Sequence, residues 1–209
     1  MDAIANDHLI RDESALEALY GAPSPGSLAK EIDHVNPHYR AMLAVSPFMV
    51  LATSGPGGLD ASPRGDPPGF VTVENERTLL IPDRRGNNRT DSLRNIIHDP
   101  RVALLFLIPG CGETLRVNGR AAISVDPDLL KRFEFRGTLP RSIIMVQVES
   151  VYFQCPKALV RSDLWNPEKH IARNALASTG TIMAAITAGK LGGEQYDRDY
   201  PERLRTTLY

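Results

Sequence analysis

Apolar positions along the chain switch between helical spacing and strand-like runs, in blocks separated by Gly- and Pro-rich turns. Residues 13–20 read as a short helix stopped by Gly21, and Pro23, Pro25 and Gly26 then break the chain. Tyr39, Met42, Leu43 and Val45 recur at roughly helical spacing and predict a second helix over 37–45. Residues 48–53 form an apolar run closed by Ser54-Gly55-Pro56-Gly57-Gly58, and 59–64 read as the returning strand of a hairpin. Residues 69–73 and 78–81 predict another strand pair around Glu74-Asn75-Glu76-Arg77. A helix over about 90–98, N-capped by Thr90 or Asn88, precedes a run over 101–108 that is apolar on both faces. Long strands follow over 113–125 and 142–153, with short helices over 126–133 and 156–165. Six to seven strands with few helices between them point to an antiparallel barrel, mainly β with peripheral helices. Residues 172–189 predict a helix or a helix pair broken near Gly180, and the polar stretch 192–209 carries no pattern. The domain reading is an N-terminal helical extension (1–46), a barrel (47–165) and a C-terminal extension (166–209).

Within this pattern the densest candidate chemistry is the strand-turn-helix junction Leu80-Ile81-Pro82-Asp83-Arg84-Arg85-Gly86-Asn87-Asn88-Arg89-Thr90-Asp91-Ser92-Leu93. Unsatisfied N–H groups and the dipole at a helix start attract anions. Arg84, Arg85 and Arg89 add forked donors suited to phosphate. Taken alone, the segment is equally a solvated basic turn.

Composition narrows the rest. The chain has 209 residues, and 42% are hydrophobic, enough for a real core. A net charge of -1 supplies no basic field for nucleic acid. Cys111 and Cys155 have no disulfide or metal spacing and read as two buried or half-buried thiols in a reducing compartment. His34 and His38 would share a face if helical, but no third ligand stands near, so no metal is expected. No serine lies in a Gly-x-Ser-x-Gly setting, and Gly55-Pro56-Gly57-Gly58 lacks the Lys-Ser/Thr ending of a phosphate loop. The first residues lack a basic and an apolar leader region, and no apolar run matches a bilayer; a cytoplasmic protein is the expectation. Trp165 reads as stacking near a ligand or, more in keeping with a lone Trp, as packing.

Four segments in order carry a resemblance: Asp60-Ala61-Ser62-Pro63-Arg64-Gly65-Asp66; the junction 81–96; Asn95-Ile96-Ile97-His98-Asp99-Pro100-Arg101-Val102; and Glu113-Thr114-Leu115-Arg116-Val117-Asn118-Gly119-Arg120. Together they resemble the pyridoxamine 5′-phosphate oxidase-like family of FMN-binding split barrels, over roughly residues 48–165. The run from Cys155-Pro156-Lys157-Ala158 to Trp165 looks like a branch of that family with no assigned substrate.

The resemblance implies FMN at a homodimer interface, with residues from both subunits around it. The family's phosphate-binding Arg-Lys pair falls on Asn88 and Arg89; the charge lost at Asn88 is left for Arg84 or Arg85. Asn87 lies in the same turn. Pro82 and Asp83 fall at the strand end beside the flavin ring, and Ser62, Pro63, Arg64 and Gly65 on the strand facing it. Thr114 matches a Gln that contacts the cofactor, and Arg116 shares its face. Arg64 or Arg116 would put a cation near the pyrimidine edge, which favours electron uptake. The oxidases' Arg-x-His-x-Arg segment has no counterpart: His170 and Arg173 lie in another pattern, and Arg203-Leu204-Arg205 lacks the His. The resemblance therefore supports the FMN and leaves the substrate open. The expected function is an FMN-dependent oxidoreductase with no nameable catalytic side chain; the alternatives are a non-catalytic flavin-binding or sensing module, or a deazaflavin-dependent reductase.

Overall fold

Alternation of apolar and polar residues builds the sheet, because successive strand side chains point to opposite faces. The computed structural model describes residues 8–209; residues 1–7, in whose sequence no leader is read, lie outside the described residues. Two compact units are distinguished, residues up to Glu31 and Ile32–Tyr209. In the first, helix α1 (Glu13–Tyr20) is capped by the Asp12 carboxylate, which accepts from the Ala15 N–H at 2.8 Å, and stops at Gly21 with φ +71°. A short helix α2 (Pro25–Ala29) follows, and neither helix buries a residue.

The second unit holds seven strands: β1 (Phe48–Gly55), β2 (Gly58–Gly65), β3 (Thr72–Asn75), β4 (Thr78–Asp83), β5 (Arg101–Leu107), β6 (Thr114–Ser124) and β7 (Ser142–Gln154). Their order is β2-β1-β5-β6-β7-β4-β3, and every neighbouring pair is antiparallel. This is the expected mainly-β split barrel. Met49 and Leu51 of β1, Leu104 and Phe106 of β5, Leu115 and Val117 of β6, and Val146 and Val148 of β7 turn into one core. Helix α3 (Pro37–Val45) adds Tyr39 and Leu43 to it, and helix α4 (Asp91–His98) adds Ile96. Each such side chain contributes roughly 1.5–3 kcal/mol by leaving water.

Several boundaries differ from the pattern. The barrel unit begins at Ile32, not at 47, because Ile32 exchanges two backbone hydrogen bonds with Val151 and α3 feeds the core. It also takes in 166–209, expected as a separate extension. The strand predicted from residue 69 starts at Thr72, since Gly69 takes φ +88° after Pro67-Pro68. Thr90 stands at the start of α4 in a left-handed conformation and makes no side-chain cap. Cys155 is exposed rather than buried. His34 precedes α3 and bonds Asp33, so it shares no helix face with His38. Among the described residues no group of three or more potential ligands gathers for a metal, and no helix is long and apolar enough to cross a membrane.

Four further helices stand outside the sheet: α5 (Pro127–Arg132), α6 (Lys157–Ser162) and the pair α7 (Thr179–Ile186) with α8 (Gly193–Thr207). Helix α8 forms where no pattern was legible, despite Pro201 inside it, with side-chain pairs Glu194–Arg198 and Glu202–Arg205 along its surface. Gly180 is not a break but the contact between the two helices: its N–H donates to Asp197 at 2.7 Å, and a Cβ there would strike the Gly193 carbonyl.

At Gly119 a bulge shifts the β6–β7 register, and an added Cβ would fall on the carbonyl oxygen of Gln147. Gly119→Ala should therefore cost about 1–3 kcal/mol, the range for forcing extra volume into packed surroundings. Urea unfolding at an unchanged m-value would read it; unaltered stability would mean that the bulge can relax.

Candidate functional site

Strand β2 has an inverted pattern: its half-buried row is polar, Asp60, Ser62 and Arg64, while Leu59, Ala61, Pro63 and Gly65 face outward. The reason is topological. Strand β2 is the free edge of the sheet, yet curvature brings its inner row against the end of β4, with which it shares no backbone pairing. Side chains close the gap. The Arg64 guanidinium lies 3.6 Å from the Asp83 carboxylate, and Arg84 Nε donates to Asp66 at 2.8 Å. Arg84 also donates to the Phe133 carbonyl at 2.7 Å and lies over the Phe135 ring. Asp66 keeps only 3% of its side chain exposed and takes a second donor, the Tyr209 hydroxyl, at 2.9 Å. Burial pushes the Asp83 carboxyl above the usual aspartate range, against the opposing pull of Arg64 and Arg141.

A cavity of about 480 Å³ opens along this seam, within the size range of small-molecule sites. One wall is the β2 row Asp60, Ser62 and Arg64. The other is the junction, from Asp83 and Arg84 through Gly86, Asn87, Asn88 and Arg89 to the first turn of α4, with Arg141 and Ser142 above it. Ser92, buried in that turn, donates to Asp60 at 2.6 Å and ties the two walls together. Four guanidiniums and three carboxylates line the space, so its charge balance favours an anion. Arg64 Nε is buried without a hydrogen-bond partner among the described residues, a donor left over after Ser62, Pro63 and Asp83 are served. An unsatisfied buried donor is costly, and its place beside a cavity marks where a ligand acceptor would fit.

The residues expected from sequence divide into three groups. Ser62, Arg64, Asp83, Arg84, Asn87, Asn88 and Arg89 gather on the cavity. Pro63, Gly65, Pro82 and Arg85 do not; they line a smaller hollow of about 210 Å³ on the other side of the Arg64–Asp83 and Arg84–Asp66 pairs. Thr114 and Arg116 line neither in this chain: they stand on the outer row of β6, with Arg116 over the Tyr152 ring at 5.3 Å. Arg84, on the cavity wall, gives its Nε to Asp66 and its Nη1 to the Phe133 carbonyl. Arg141 is placed to supply the charge missing at Asn88, donating to Asn88 Oδ1 at 3.0 Å from just before β7. Arg141 lies 53 residues from Asn88 and carried no local signal. Arg89 is 76% exposed and paired with Asp91 at 2.7 Å. Trp165 packs, as read: its Nε1–H donates to the Cys111 carbonyl at 2.7 Å, beside an apolar hollow lined by Phe48, Leu107, Pro109 and Leu164.

Residues 35–155 match the model of a family described as pyridoxamine 5′-phosphate oxidase. Among curated proteins nothing matches the chain. Similar solved structures include HupZ of Group A Streptococcus, 14% identical, covering 58% of this chain and 94% of that one with a TM-score of 0.48. An FMN-binding protein of Syntrophomonas wolfei is 12% identical, covering 68% and 92% with a TM-score of 0.44. General Stress Protein 26 of Bacillus anthracis is 17% identical, covering 56% and 93% with a TM-score of 0.39.

The seam predicts an inverted pH response. An aspartate whose carboxyl is raised on folding stabilises most below its unfolded pKa, and that contribution is lost as pH rises through the folded value. Carboxyl NMR should find Asp83 protonating above the ordinary aspartate range, and Arg64→Ala should move its midpoint further up. A midpoint in or below the ordinary range would show the seam to be wet.

Proposed function

The chain belongs to the pyridoxamine 5′-phosphate oxidase family, and from that premise we propose that the seam cavity holds FMN and that the protein is an FMN-dependent oxidoreductase. The observation that carries this reading is the orphaned Arg64 Nε on a cavity whose far wall is a helix start with three further arginines. FMN suits both ends: a phosphate near two negative charges, and a flat ring whose edge offers hydrogen-bond acceptors.

In this reading the first turn of α4 presents its free N–H groups to the phosphate, since Thr90 leaves them uncapped. Arg141, held by Asn88, supplies the second cation, and Arg89 the first once it leaves Asp91. Arg64 donates to the ring's polar edge, with Ser62 beside it. When bound, the flavin supplies the electron-accepting centre. The chain's part is to hold a cation at that edge, so that negative charge gained on reduction is met by a fixed guanidinium. Ser92 and Asp60 keep the wall closed, and Asp83 keeps Arg64 aimed.

We also infer a homodimer. The outer face of β2, β1 and β5 is apolar at two successive registered rows: Val50 lies between Pro63 and Leu105, and Ala52 between Ala61 and Ala103. Leu59 at its margin is 90% exposed. A second copy would cover this face and bring its own Thr114 and Arg116 toward the neighbouring cavity.

Titration with FMN, followed by flavin fluorescence quenching, tests the site. Arg141→Ala and Arg89→Ala should each weaken binding about tenfold or more, the value of a charged hydrogen bond. A colourless protein that quenches no flavin would remove the reading. The mass and spectrum of any chromophore that co-purifies distinguish FMN from a deazaflavin, and bound flavin without turnover would favour a sensing module. Light scattering should give twice 23.0 kDa; a monomer at micromolar concentration would refute the dimer.

A further inference from the structure

The segment after α8 returns to the seam. Tyr209 reaches back 143 residues to Asp66, its hydroxyl donating to Oδ1 at 2.9 Å, while Arg84 Nε donates to Oδ2 of the same carboxylate at 2.8 Å. One buried carboxylate thus joins a guanidinium of the cavity wall to a phenol standing behind it. We propose that Tyr209 is a strap across the seam: it bolts Arg84 to Asp66 and so sets how fast a flat ligand enters and leaves the cavity. The ligand's identity rests on the FMN reading. The strap rests on its own contacts, and Tyr209 lies beyond the residues 35–155 that match the family.

Position argues first. The Arg64–Asp83 and Arg84–Asp66 pairs divide the seam into the cavity of about 480 Å³ and the hollow of about 210 Å³. Ser62 lines the first space, Pro63 and Gly65 line the second, and Arg84 lines both. With Arg84 in place the two spaces stay separate. With Arg84 turned aside they join into one slot between β2 and the end of β4. Tyr209 and Arg84 also share a third hollow on the opposite side, so the phenol stands directly behind this partition.

Strength argues second. The Tyr209 ring packs on Phe135 at 4.8 Å between centroids, and Arg136 lies over it at 5.6 Å. Arg84 lies over Phe135 from its own side at 5.8 Å, so one aromatic pair aligns both donors to Asp66. None of these contacts belongs to a strand ladder. Helix α8 buries none of its residues, and the α7–α8 pair is tied within itself by Asp197, which accepts from the Ser178 hydroxyl and the Gly180 N–H. The strap can therefore lift while the sheet and the helix pair keep their own bonds, an opening far smaller than unfolding.

Two measurements on the full chain test this, using Tyr209→Phe, which keeps the ring and drops the hydroxyl, and Tyr209→Ala. Stopped-flow flavin fluorescence should show FMN association and dissociation both about tenfold faster in Tyr209→Phe, the worth of a hydrogen bond to a charged group, with affinity kept within about threefold. Trypsin gives a readout without flavin. Cutting after Arg84 requires its side chain to leave Asp66, whereas Arg85 is exposed and serves as the reference. Initial cutting after Arg84 relative to Arg85 should rise several-fold in both variants, following the population of the released form. Unchanged FMN rates, or unchanged cutting after Arg84, would overturn the strap. So would a rise in FMN dissociation alone, which would make Tyr209 a contact that holds the ligand. If wild-type protein binds no FMN but both variants are cut faster after Arg84, the flavin reading fails and the strap stands.

Discussion

Two crossed ion pairs, Arg64 with Asp83 and Arg84 with Asp66, hold the free edge of the sheet against its far side. The core could be built without them, since β1, β5, β6, β7 and β4 form a continuous ladder. The seam could not. An apolar β2 inner row would collapse the gap, and a paired β2–β4 ladder would remove it. A polar row that reaches across leaves a lined space between two rigid walls. The cavity is thus a by-product of how the barrel fails to close.

This explains why desolvated charges are tolerated there. A buried ion pair gains little net stability over an apolar contact of the same shape. Here each charge has extra ties: Asp66 takes both Arg84 and Tyr209, and Arg84 also serves the Phe133 carbonyl. Arg64 alone keeps a surplus donor. In a network otherwise satisfied, that surplus is the seam's one unmet polar demand among the described residues, and it sits on the cavity.

Much of this was legible in the sequence because the fold speaks through period and punctuation. The β1–β2 hairpin is announced by Gly55 to Gly58, and the strand-turn-helix junction by its arginines and the amphipathic turn after them. Period two also held the means to separate Ser62 and Arg64 from Pro63 and Gly65, which a single strand cannot present to one face. What stayed hidden was long-range or contrary to local preference. Arg141 acquires its role only when β7 is laid beside β4. Helix α8 is masked by Pro201 and by a surface held through charged pairs rather than an apolar stripe. Thr114 and Arg116 lie outside the single-chain cavity because they stand on the outer row of β6.

Sheets usually open by breaking ladder hydrogen bonds, one residue after another. The β2–β4 boundary has none to break. A guest could pass this boundary by turning four side chains to new rotamers while every strand keeps its partner. Admission of a bulky flat molecule there would be uncoupled from unfolding: rotation of side chains would suffice, and the amides of β1 and β4 would stay protected from exchange meanwhile.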